Sequence, residues 1–80
     1  MNKKDYQKLL ALKQAIENNR ATKKQKREYV ELLYKNGNIT KKQYENYLAN
    51  KNAEDIIKAT LVIGGIILAG WLLSELFGKK

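Results

Sequence analysis

The 80-residue chain contains no Cys, no His and no Pro, which excludes disulfides, thiolate or imidazole catalysis and soft-ligand metal sites. Its net charge of +8 lies almost wholly in the first three quarters, where residues 1–58 hold 14 Lys/Arg against 7 Asp/Glu, a net of +7. A head of this length is at most one small domain with a marginal core, so it is expected to lean on a partner, a second copy or a membrane surface.

In chain order, Met1-Asn2-Lys3-Lys4-Asp5 leads into an amphipathic stretch and not into the apolar core of a signal peptide. Helix 1 is predicted over about residues 3–18, with Tyr6, Leu9, Leu10 and Ile16 on one face. Helix 2 is predicted over about 23–36, using Tyr29, Val30, Leu33 and Tyr34, and helix 3 over about 41–50, using Tyr44, Tyr47 and Leu48. An 18-residue repeat sets the corners between them: Asn18 matches Asn36, Thr22 matches Thr40, Lys23-Lys24-Gln25 matches Lys41-Lys42-Gln43, and Tyr29 matches Tyr47. Thr22-x-x-Gln25 and Thr40-x-x-Gln43 read as capping boxes, in which the Thr hydroxyl accepts from the third helical amide and the Gln side chain accepts from the Thr amide. Ile39 before Thr40 and Tyr44 after it are spaced as a hydrophobic staple. Asn19 and Gly37 fall just past the preceding helices and are the residue types that best tolerate a left-handed helix ending. Asn52-x-x-Asp55 reads as a further N-cap, opening helix 4 at about residue 53. A continuous helix 3–4 is the rival reading.

From Ala59 to Phe77 the chain reads ATLVIGGIILAGWLLSELF, with Glu75 the one charge. As a helix it is about 28 Å long, close to the thickness of a bilayer's hydrocarbon core. Ten large apolar residues in it each favour insertion by about 0.3–0.6 kcal/mol, roughly 3–6 kcal/mol together. The expected fold is therefore all-α: a basic helical head over residues 1–50, a juxtamembrane segment over 51–58, a transmembrane helix over 59–77 and a basic tail over 78–80. The lysines before the span outnumber the two after it, which favours a cytoplasmic head by the positive-inside bias, or a capsid-facing one if the membrane lies within a virus particle.

Residues 32–48, LLYKNGNITKKQYENYL, resemble the SHOCT module, a short helical motif of bacterial and phage proteins. The resemblance lies in Leu32 and Leu33 in the first helix, then Gly37, Ile39 and Thr40, and the aromatic Tyr44 four residues after the Thr. Residues 15–30 look like a degenerate second copy. Lys41-Lys42 depart from the acidic residues usual after that Thr, and the module is usually C-terminal, whereas here an apolar segment follows it. The resemblance implies a non-catalytic interaction or oligomerisation module.

Several side chains stand out as candidate sites. Arg20, Lys23, Lys24, Lys26 and Arg27, echoed by Lys41 and Lys42, place positive charge in helix first turns, where it opposes the macrodipole. Helix stability does not explain them. An anionic surface does, as does a plain role in solubility and topology. The five tyrosines share faces with the leucines, which points to packing and not to base stacking. Gly65-x-x-x-Ala69 and Gly70-x-x-x-Ser74 are small-residue pairs that permit close helix approach in a membrane. Glu75 and Lys79, spaced i to i+4, read as an interfacial pair, with Trp71 as an aromatic anchor near the far interface. No catalytic constellation, cofactor or small-molecule substrate is implied.

The functional expectation is a non-enzymatic, single-pass membrane adaptor whose basic head docks a partner or an anionic surface. Its small size, its Lys-, Asn-, Ile- and Tyr-rich usage and its SHOCT-like corners suggest a bacterial or phage protein, such as a minor virion protein linking an internal membrane to capsid or genome. Two alternatives stand beside it: a holin-like or toxin-like permeabilising protein that self-associates through Gly65 and Ala69, and a membrane-tethered nucleic-acid binder, for which no recognised binding motif accompanies the charge.

Overall fold

Four helices make up the computed structural model, which describes residues 1–78: α1 (Lys3–Glu17), α2 (Lys23–Lys35), α3 (Lys41–Leu48) and α4 (Ala53–Phe77). Among the described residues there is no strand, so the fold is all-α as expected.

Local chemistry accounts for each corner. The Asn2 side chain accepts from the Asp5 amide at 2.8 Å and opens α1. Both predicted capping boxes are present: the Gln25 amide donates to Thr22 Oγ1 at 3.1 Å and the Thr22 amide to Gln25 Oε1 at 2.9 Å, with the Thr40–Gln43 pair at 3.1 and 2.8 Å. The helix ends are Schellman motifs. After α1, Asn19 turns left-handed (φ 56°), its amide donating to Ile16 and that of Arg20 to Ala15. After α2, Gly37 (φ 74°) does the same, with bonds to Tyr34 and from Asn38 to Leu33.

At the third corner the separation of helices 3 and 4 is as expected and the cap is not. Helices 3 and 4 are separate, because Asn50 (φ 59°) ends α3 by the same motif, its amide donating to Tyr47 and that of Lys51 to Asn46. Asn52 does not cap α4 with its side chain. It is itself left-handed (φ 53°) and makes no such bond. This corner has one residue fewer between its left-handed ending and the N-cap than the other two, which leaves no room for an extended cap residue. Glu54 and Asp55 in the first turn complement the α4 dipole instead.

Leu9, Leu12 and Ile16 of α1, Tyr29, Val30, Leu32 and Leu33 of α2, Ile39 at the second corner and Leu68 of α4 form the core. Leu12 and Leu32 join it although the expected faces omitted them, because α1 and α2 each pack on more than one neighbour and bury a wider arc. Leu48 was expected to pack but is 48% exposed. It is the last residue of an eight-residue helix that has no fully buried residue.

The apolar helix is packed against the head. Thr60, Gly64 and Leu68, four residues apart, are buried on the inner face of α4. Tyr6 near the start of α1 stacks on Trp71, and Lys13 further along reaches Gly65, so α1 runs antiparallel to α4. Helix α2 runs parallel to α4, with Lys23 and Lys26 near Ile57 and Lys58, and Asn36 near Ile67 and Trp71.

Candidate membrane helix and basic surface

Helix α4 has two unlike faces. Its 25 residues make it long and apolar enough to cross a membrane, and only Thr60, Gly64 and Leu68 of them are buried within the protein. The outer face carries Ala59, Val62, Ile66, Ala69, Leu73 and Leu76 at alternating spacings of three and four, an uncharged exposed stripe running the length of the predicted span. Ile66 is 69% exposed and Leu76 74%. Soluble monomers rarely leave a contiguous apolar surface of this length uncovered.

On the inner face, the buried Tyr29 hydroxyl donates to the Thr60 carbonyl oxygen at 2.5 Å. Burial, and then the charge of Glu17, push the Tyr29 phenol well above the ordinary tyrosine range. Gly64 lies directly beneath the same ring, so that a side chain there would run into the Tyr29 hydroxyl. At the far end, Tyr6 and Trp71 stack with ring centroids 5.1 Å apart and planes 7° from parallel.

The predicted small residues divide between the two faces. Gly65 is half-buried, with Lys13 Cε 3.5 Å from the position a Cβ would take, whereas Ala69, Gly70 and Ser74 are exposed. The glycine used for close packing within the chain is Gly64, which the small-xxx-small spacing did not single out. No periodic contrast marks it, because Thr60, Gly64 and Leu68 lie four apart in a run that is apolar or small throughout. Trp71 rests on the head, and Glu75 is half-buried. Lys79, its expected partner, lies outside the described residues.

The basic residues do not form one patch. Arg20, Lys23, Lys24 and Arg27 are exposed around the first corner and the start of α2, with Lys26 half-buried beside them. Lys23, Lys24 and Arg27 line an open groove with Tyr47 and Asn50. Lys41 and Lys42 are exposed at the other end of α2, roughly 20 Å away along that helix. Arg27 is partly compensated by Glu31 at 3.8 Å, and Glu31 also accepts from the Tyr44 hydroxyl at 3.1 Å. Tyr44 stacks on Tyr34 at 4.4 Å, so its place in the second corner is structural. Burial and the bond to Glu31 raise the Tyr44 phenol as well.

Comparison with family models, with curated proteins and with solved structures finds no match.

Proposed function

We propose that this chain is a non-enzymatic, single-pass membrane adaptor, held by α4 and presenting a basic helical head to a partner or anionic surface. The observation that carries this reading is the uncovered apolar stripe of α4, which only lipid or another apolar surface satisfies. The cations of the first corner, Arg20, Lys23 and Lys24, supply the second element, each adding about 1 kcal/mol of attraction near an anionic leaflet. The SHOCT-like corners support a module that binds rather than catalyses, and a minor virion or small bacterial membrane protein fits that description.

Vesicle flotation of the full chain tests the head's part. Binding should be stronger to phosphatidylglycerol-containing vesicles than to phosphatidylcholine alone, and Lys23→Glu/Lys24→Glu should remove that preference while leaving residual binding through α4. An unchanged preference in the variant would sink the assignment of these lysines to an anionic surface.

A further inference from the structure

The closed packing and a transmembrane α4 are incompatible in one conformation. Trp71 lies about 18 Å along α4 from Ala59, and Gly65 about 9 Å. If residues 59–77 crossed a bilayer with the head still attached, Tyr6 would be drawn past the middle of the hydrocarbon and Lys13 to about a third of its depth. The exposed Lys3, Lys4 and Lys8 of α1 would follow them. Charged side chains at such depth are strongly disfavoured.

The contacts between head and α4 are also of a kind that separates cleanly. Among the described residues, the three ion pairs, Lys8–Glu28, Lys13–Glu17 and Arg27–Glu31, all lie inside the head. Among the described residues one side-chain hydrogen bond, Tyr29 to Thr60, joins head to α4, and the rest of the contact is apolar or aromatic apart from the stem of Lys13 beside Gly65. At the α3–α4 corner the amides of Asn50 and Lys51 bond back to α3 and that of Ile56 to Asn52, so no backbone hydrogen bond bridges the corner. Asn50 and Asn52 are both left-handed there.

Resting on the membrane reading above, we infer that the head is a clasp: it covers the inner face of α4 away from the membrane and swings off it about residues 49–52 as α4 inserts. Released, α1 uncovers the side it had turned to α4 while staying packed on α2, and it carries the exposed Lys3, Lys4 and Lys8, charges suited to an anionic membrane surface.

The chain has no cysteine, so Lys13→Cys/Gly65→Cys can be bridged uniquely by a short bis-thiosulfonate that reducing agent removes. The sole tryptophan, Trp71, reports insertion through quenching by bromine-labelled acyl chains in phosphatidylglycerol/phosphatidylcholine vesicles. The bridged full-length protein should show little quenching, and reduction should restore it. A second variant needs no bridge: Tyr29→Phe removes the one polar tie and should speed insertion about fivefold, the effect of one lost hydrogen bond. Equal quenching of bridged and reduced protein, or an unchanged insertion rate in Tyr29→Phe, would overturn the clasp while leaving the membrane reading intact. No quenching in any form would remove both.

Discussion

Gly64→Ala is the sharpest probe of the contact between head and α4. Within an ordinary helix, replacing Gly by Ala stabilises by about 1 kcal/mol. Here the new methyl would meet the Tyr29 hydroxyl and lie 3.1 Å from Cζ of a ring that is fully buried. Overpacking of this sort costs about 1–3 kcal/mol. Displacing the ring also loses the bond to Thr60, worth about 1 kcal/mol. The net is a destabilisation of about 1–3 kcal/mol, and 2 kcal/mol corresponds to roughly 8–16 °C in Tm for a domain of this size. Gly70→Ala is the internal control, since nothing lies within 4 Å of its added methyl. It should raise Tm by several degrees. Thermal unfolding followed by circular dichroism measures both, and Tyr29→Phe combined with Gly64→Ala should recover part of the loss by removing the clashing hydroxyl. If Gly64→Ala proves as stable as Gly70→Ala, α4 does not pack on Tyr29 and the closed arrangement is wrong.

Thr22→Ala and Thr40→Ala should each lower stability by about 1 kcal/mol in urea titrations, with Thr→Ser nearly neutral, because both hydroxyls cap helices. Gly37→Ala should cost about 1–2 kcal/mol from the backbone alone, since its φ is 74° and no atom crowds the site; a neutral result would argue against the left-handed turn. Alkaline unfolding followed by Trp71 fluorescence should depend on Tyr29. Its folded-state pKa is raised, so its contribution is complete below the ordinary tyrosine value of about 10 and is lost as pH rises through the raised value. Tyr29→Phe should flatten that alkaline limb, and an unaltered pH profile would contradict the assignment.

The corners were the most legible part of the sequence, because their chemistry is local. Thr22 with Gln25, Thr40 with Gln43, and Asn19 and Gly37 past the helix ends each act over three or four residues. Asn50 obeys the same rule as Asn19 but falls 13 residues after Gly37 and so lies outside the 18-residue repeat. The length and apolarity of α4 were equally plain. Which face of α4 turns inward was not, because in an almost wholly apolar run Thr60, Gly64 and Leu68 carry no periodic contrast with their neighbours. The bond that distinguishes them joins residues 31 positions apart, and no local rule points from Tyr29 to Thr60. The basic residues show the same limit: their types were readable, but whether Lys41 and Lys42 joined Lys23 and Lys24 depended on how far apart α2 holds its two ends.

The membrane assignment of α4 is tested most directly by alkaline-carbonate extraction of membranes from cells expressing the full chain, beside Ile66→Lys/Leu73→Lys. Both substituted residues lie on the exposed stripe, so the changes leave the inner packing intact. The wild-type chain should remain in the membrane pellet and the variant should pass into the supernatant. Release of the wild-type chain by carbonate would contradict the membrane assignment and make the outer face of α4 a protein-binding surface.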